Sequence, residues 1–353
     1  MNRKSSFWIG SLVIAGLVGV GTASADAQTT TRRTTTKRAA APATARKKPA
    51  AAKPVPARQR ALIARAAATA REMADTVTPR YKVDASGDLV PDLRAAAAII
   101  YNPVTNEVLW EENSQDQRSI ASITKVMTAT VFLENSPDLT ERVQIVRSDV
   151  YQASTTKLRL NDKVTTDDLL HLLLIASDNA AARALARVSP HGSIGFIRRM
   201  NEKAAELGLE NTHYADPSGL LSDNVSSAFD MARLITNASN DERISSIMRM
   251  SEYTIKTPRR QILARNTNHL LGRQDFEVRA GKTGFISKAG YCLATLLRLP
   301  QGGQEVAVVV LGARSNAARF METRNLFNWL SAKATTVFAT TRPTIGLTNQ
   351  QQQ

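Results

Sequence analysis

Ser122-Ile123-Thr124-Lys125 stands at the head of an apolar-periodic run, Val126, Met127, Ala129, Thr130, Val131, Phe132 and Leu133, and constrains the fold more than any other stretch. The spacing predicts a helix starting near Ser122, with a hydroxyl and an ammonium three residues apart on one face. Enough apolar surface follows to bury that helix, which would hold Lys125 in a partly dry site. Such geometry suits a serine nucleophile whose base is a lysine rather than a histidine. A second copy of the pattern, Ser154-Thr155-Thr156-Lys157, is followed by Leu158-Arg159-Leu160-Asn161-Asp162, which alternates like a short strand entering a turn. That copy is read as structural.

Two further motifs carry the same kind of chemistry. Ser177-Asp178-Asn179 falls at a helix break, where side chains project from a turn, and Lys282-Thr283-Gly284 falls on a strand. Each has a decoy. Ser222-Asp223-Asn224 follows the turn residues Asp216-Pro217-Ser218-Gly219 and shapes a loop; Lys256-Thr257-Pro258 ends in a proline that cannot donate to a ligand and lacks glycine's bare Cα.

The folded part reads as α+β. Residues 94–101 and 108–111 predict two strands of a hairpin around Asn102-Pro103-Val104-Thr105-Asn106. A mostly helical region follows, with helices from Thr166, from about Ala180 to Val188, from Ile194 to Leu207 closed by Gly208, and from Ser227 to Thr236 behind a capping box. Strands 276–284, 289–299 and 305–312 and a helix from about Ala317 to Ser331 end the domain. Hairpin and meander would share one antiparallel five-stranded sheet flanked by helices, with the helical region inserted as a second lobe. A cleft between the lobes is the natural site.

Charge is concentrated outside that domain. Residues 27–71 hold twelve basic residues and no acidic one, which accounts for most of the net +15. Residues 1–25, with a basic start, an apolar run from Phe7 to Val20 and Ala23-Ser24-Ala25, are expected to be a secretory signal peptide. Residues 26–79 are expected to be a flexible tether, though 61–74 is alanine-rich enough for a helix, residues 80–333 the folded domain, and 334–353 a flexible tail. The basic stretch 28–71 would favour an anionic envelope polymer; with 5% aromatic residues and no nucleic-acid motif, nucleic acid is not expected. The one cysteine, Cys292, excludes an internal disulfide framework and sits in a strand-like apolar run as a packing residue. The four histidines show no metal-ligand spacing, so neither metal nor cofactor is expected.

Ser122 and Lys125, then Ser177 and Asn179, then Lys282, Thr283 and Gly284 form, in that order, a three-part signature shared by penicillin-binding proteins and class A β-lactamases. Over roughly residues 95–330 the chain resembles the low-molecular-mass penicillin-binding proteins, the serine D-alanyl-D-alanine carboxypeptidases and endopeptidases of peptidase S11. Ala121-Ser122-Ile123-Thr124-Lys125, Asp216-Pro217-Ser218-Gly219-Leu220, Arg265-Asn266-Thr267-Asn268-His269-Leu270 and Lys282-Thr283-Gly284-Phe285 look most like the endopeptidase branch known as penicillin-binding protein seven.

The resemblance implies a β-lactamase/transpeptidase-like fold, peptidoglycan stem peptides as substrate, β-lactams as inhibitors and a periplasmic location. It implies that Ser122 attacks a D-alanine carbonyl, with Lys125 as base and Ser177 as proton relay. Burial and the like charge of Lys282 would both lower the pKa of Lys125. Asn179 would hold a substrate amide, Lys282 and Thr283 a carboxylate, and Gly284 would let the peptide lie on the strand. The N–H groups of Ser122 and Phe285 would meet the oxyanion. A class A β-lactamase is the main alternative, but it needs a deacylating glutamate four residues ahead of an asparagine, and Glu202, Glu206 and Glu210 lack one at that offset. An inactive peptidoglycan-binding relative is the other.

Overall fold

The computed structural model describes residues 56–274, 277–299 and 303–340. The expected signal segment and the first part of the tether lie outside them. The rest of the tether is not a flexible chain: α1 spans Ala57–Val77. It is longer than the alanine-rich core at 61–74 because residues 57–77 contain neither glycine nor proline and alanine has the highest helix propensity.

Five strands make the central sheet: β1 (Ala97–Asn102), β2 (Glu107–Glu112), β3 (Glu277–Ile286), β4 (Gly290–Arg298) and β5 (Glu305–Ala313). Their order is β3-β4-β5-β1-β2, antiparallel throughout, so the first hairpin and the last three strands close on each other through β5 and β1. Phe276, where β3 was expected to begin, is outside the described residues. Period-two alternation divides the sheet's side chains between two cores. Ile99, Ala294 and Val309 enter a cluster with the helical lobe, whereas Ile100, Leu293, Val308 and Val310 pack against Phe320, Phe327 and Trp329. With both faces covered, all six residues of β1 are buried, and its apolar run is continuous rather than alternating.

The helical lobe is inserted between β2 and β3. It contains α2 (Thr124–Leu133), α3 (Thr166–Ile175), α4 (Asn179–Val188), α5 (Gly192–Glu206), α6 (Ala228–Ser239) and α7 (Glu242–Arg249). Side chains of Thr165, Asp178 and Ser227 cap α3, α4 and α6 by accepting N–H bonds from Asp168, Ala181 and Asp230. Gly208, in the left-handed region at φ +63°, closes α5. The lobe also holds α7 and a hairpin, Glu252–Lys256 with Gln261–Arg265, that the sequence reading passed over. Residues 158–162, expected as a short strand, form turns and irregular backbone instead. Ser154 enters that segment at φ +49°, and the Lys157 N–H is taken by Asp178 rather than by a neighbouring strand.

After β5, α8 (Asn316–Thr340) packs on the outer face and runs nine residues past its expected end at Ser331. The first part of the expected tail is therefore helical, and residues 341–353 lie outside the description. Among the described residues no helix is long and apolar enough to cross a membrane.

Candidate active site

Ser122 lies in the turn that feeds α2, not in α2 itself. Ala121 takes φ +49°, a single 3₁₀ turn covers Ala121–Ile123, and the α-helix begins at Thr124, whose hydroxyl donates to Ala121 O at 2.8 Å. Residues three apart eclipse in a 3₁₀ turn, so the tighter start still puts residues 122 and 125 on one side. Lys125 is fully buried, Ser122 is half-buried, and Nζ donates to Oγ at 2.9 Å.

The loop after Tyr214 forms the floor beneath this pair. Ser218 O accepts a second bond from Lys125 Nζ, and Thr128 Oγ1 donates to Pro217 O at 2.6 Å. One carboxylate, Asp216, organises the loop by accepting the N–H groups of Ser218, Gly219 and Leu221. The decoy Asn224 belongs to the same scaffold: its Nδ2 donates to Asp216 and Leu221 O, and its Oδ1 accepts from Ala215 N. Ser222-Asp223-Asn224 thus shapes a loop, as expected, but one that touches the lysine.

The second motif breaks the chain between α3 and α4. Ser177 adopts φ +58°, which aims its half-buried side chain out of the helical path. Asp178 caps α4 and accepts from Thr156 Oγ1 at 2.8 Å and Lys157 N at 2.5 Å; burial nevertheless holds its pKa above the usual carboxylate range. The structural copy Ser154-Thr155-Thr156-Lys157 is therefore the mould for the second motif. Asn179 Oδ1 accepts from Lys125 Nζ at 2.6 Å, while Nδ2 donates to Ala153 O at 2.6 Å and Ser154 Oγ at 3.2 Å. A substrate amide would have to share the remaining lone pair of that oxygen.

From the opposite wall, Lys282 on β3 donates to Ser177 Oγ at 2.8 Å and to Thr283 O at 2.8 Å. Thr283 Oγ1 lies 2.6 Å from Thr267 Oγ1. At Gly284 a Cβ would stand 2.6 Å from Ile120 O and 3.2 Å from Ser122 N, so only glycine lets the strand come this close to the serine turn. Phe285 is 49% exposed and stacks on Tyr291 at 4.2 Å. Two chained contacts thus meet at the cleft, Lys125 with Ser122 and Lys282 with Ser177.

Electrostatics follow from burial. Desolvation pulls the Lys125 pKa from 10.5 to about 7, although Asp216 and Asp178 favour its ammonium; Arg183 opposes it. The like charge expected to act on Lys125 weighs instead on Lys282, whose pKa is lowered well below 10.5 by burial, then by Lys125 and Arg319. Both amines are thereby pushed toward the neutral, proton-accepting form.

Residues 84–315 match the peptidase S11 family model, described as D-alanyl-D-alanine carboxypeptidase. The chain belongs to this family. A D-alanyl-D-alanine endopeptidase of Escherichia coli is 34% identical over 244 residues, spanning 68% of this chain and 78% of that protein. One from Pseudomonas aeruginosa is 34% identical over 246 residues, spanning 69% and 79%. The crystal structure of the Streptomyces K15 DD-transpeptidase superposes with a TM-score of 0.63 at 29% identity and covers 69% of this chain and 98% of that one. This S11 chain is accordingly a serine-type D-alanyl-D-alanine peptidase, a hydrolase of the penicillin-binding class.

Two of the three glutamates weighed for a β-lactamase role are occupied elsewhere. Glu202 and Glu206 pair with Arg199 on the solvent side of α5, at 54% and 48% side-chain exposure. Behind the β3 wall of the S11 cleft lies a residue that sequence reading missed. Arg319, largely buried under β3, donates to Gly284 O at 2.9 Å and Cys292 O at 3.2 Å, and its guanidinium lies 5.5 Å from the Tyr291 ring centroid. Nothing local in the sequence marks it, because α8 reaches β3 only in three dimensions. Arg319→Met would remove the charge-assisted bonds to both carbonyls and is expected to lower stability by roughly 2–4 kcal/mol, read as a drop in urea midpoint at unchanged m-value.

Proposed function

We propose that this S11 peptidase cleaves D-alanyl cross-links between peptidoglycan stem peptides through an acyl-enzyme on Ser122. The observation that carries the reading is Lys125 Nζ, buried and 2.9 Å from Ser122 Oγ. The neutral Lys125 amine takes the hydroxyl proton while Oγ bonds to the D-alanine carbonyl carbon. The N–H groups of Ser122 and Phe285 hold the resulting oxyanion. As the C–N bond breaks, Ser177 relays that proton from Lys125 to the leaving amine. Water then attacks the ester carbon, its proton passing to the again neutral Lys125, which delivers it to Ser122 Oγ as the ester C–O bond breaks. Lys282 and Thr283 bind the substrate carboxylate, Gly284 the extended peptide, and Asn179 a backbone amide.

Endopeptidase action is favoured over carboxypeptidase action because the 34%-identical relatives bear that name. Residues 1–25 direct the chain to the periplasm, and the basic residues between 28 and 71 hold it to an anionic envelope polymer. Incubation with a labelled penicillin and peptide mapping is expected to place the adduct on Ser122, and purified muropeptide dimers are expected to fall to monomers. An adduct elsewhere would overturn the mechanism; intact dimers beside trimmed pentapeptides would overturn the endopeptidase assignment.

A further inference from the structure

A cavity of about 200 Å³ is lined by Asn161, Asp162, Lys163, Thr257, Pro258 and Arg259. It joins the tip of the Glu252–Arg265 hairpin to the loop that moulds the second motif. Lys163 and Arg259 on its wall, and Lys157, Arg159 and Lys256 on the same two segments, are exposed cations. No carboxylate lies within ion-pair distance of these five among the described residues. The one acidic residue between 153 and 165, Asp162, is buried and already accepts from Arg260 Nη2 and Arg159 N, both at 2.8 Å. The pocket is also wired to the active site. Arg260 donates to Lys157 O at 2.6 Å, and Lys157 N donates to Asp178, the residue between Ser177 and Asn179.

A concave wall that carries the exposed cations Lys163 and Arg259, with Lys157, Arg159 and Lys256 on the same two segments, favours negative charge. None of these residues takes part in the chemistry at Ser122, and none forms an ion pair among the described residues. We propose that this pocket is a second substrate site, which binds carboxylates of a peptidoglycan stem peptide while a D-alanyl bond lies on Ser122. The inference rests on the peptidase reading above and adds a specificity element to it. A cross-linked substrate carries a second stem peptide that can reach past the second motif; a short pentapeptide ends at the cleft.

Binding separates this inference from the catalytic one. Equilibrium binding of a muropeptide dimer to the full chain carrying Ser122→Ala would be compared with the same chain carrying Lys163→Glu and Arg259→Glu in addition. Reversing two wall charges is expected to weaken binding roughly tenfold, with a shallower salt dependence. With Ser122 intact, the same double variant should form the penicillin adduct at the parental rate, which shows that fold and nucleophile are unharmed. A dimer whose free carboxylates are amidated should bind both proteins equally. Affinity within twofold between the two proteins would overturn the proposal. So would an amidated dimer that keeps the full difference, or competition by a phosphodiester polymer alone. Failure of the Ser122 enzyme to cleave dimers would count against the endopeptidase reading and leave the binding result standing.

Discussion

Lys125→Ala is expected to slow acylation of Ser122 by labelled penicillin about a thousandfold, the range over which a positioned general base acts. At its ordinary pKa near 10.5 an amine is neutral in only about one molecule in three thousand at neutral pH, and it would make a poor base. Burial lowers Lys125 to about 7, so close to half the molecules carry the neutral form there. Acylation by the parent enzyme should therefore rise with pH through a midpoint near 7 and level off above it. Lys125→Arg tests whether charge or basicity matters, because a guanidinium keeps its proton throughout. It should be as inactive as the alanine variant; an arginine enzyme with near-parental acylation would overturn the base assignment.

The same shift has a cost in stability. In the unfolded chain Lys125 holds its proton up to about 10.5, whereas in the folded chain it loses it near 7. The unfolded state binds more protons between those values, so the contribution of this residue to stability declines as pH falls from 10.5 to 7. Below 7 the penalty is fully present. Bonds from Nζ to Asn179 Oδ1, Ser218 O and Ser122 Oγ keep the amine in place against it. The site is therefore held by its scaffold, and three non-glycine residues with left-handed backbone, Ala121, Ser154 and Ser177, surround it. Such backbone persists only where the packing around it over-determines the conformation.

Much of this was legible in the chain because it is local. The serine-lysine spacing, the capping pairs and the apolar alternation of β4 and β5 need only neighbouring residues, and each of these elements stands within a few residues of where its pattern puts it. What the pattern hides is the contact between distant segments. Ser154-Thr155-Thr156-Lys157 carries the same letters as the nucleophile motif, yet its work is to seat Asp178 and Asn179, 22 to 25 residues away in sequence. Asp216 and Ser218 lie among turn residues that predict a loop, and only folding brings Ser218 O to Lys125. Arg319 gave no signal at all. The helix α7 escaped because it is only eight residues long, so its apolar positions Ile244, Ile247 and Met248 fill barely one turn, and its Asp241 cap is visible only when the chain is known to turn there.

Gly219→Ala is expected to slow acylation about a hundredfold, although residue 219 takes no part in the chemistry. Its φ of +78° is strained for any residue with a Cβ, and that Cβ would stand 2.0 Å from Ala121 O and 2.9 Å from Ser122 N. Both neighbours are backbone, which cannot rotate away. Either the Asp216–Leu221 loop or the serine turn must move by the better part of an ångström. A displacement of that size typically costs on the order of a hundredfold in rate, and here it would also pull Ser218 O from Lys125. Gly272→Ala supplies the control, since φ there is +74° and no heavy atom lies within 4 Å of the added carbon. It should lose about 1–2 kcal/mol from backbone strain alone and acylate at the parental rate. Gly219→Ala should lose more stability than that in a urea titration and acylate about a hundredfold more slowly. Equal acylation by the two variants would mean that the serine turn does not depend on the loop beneath it.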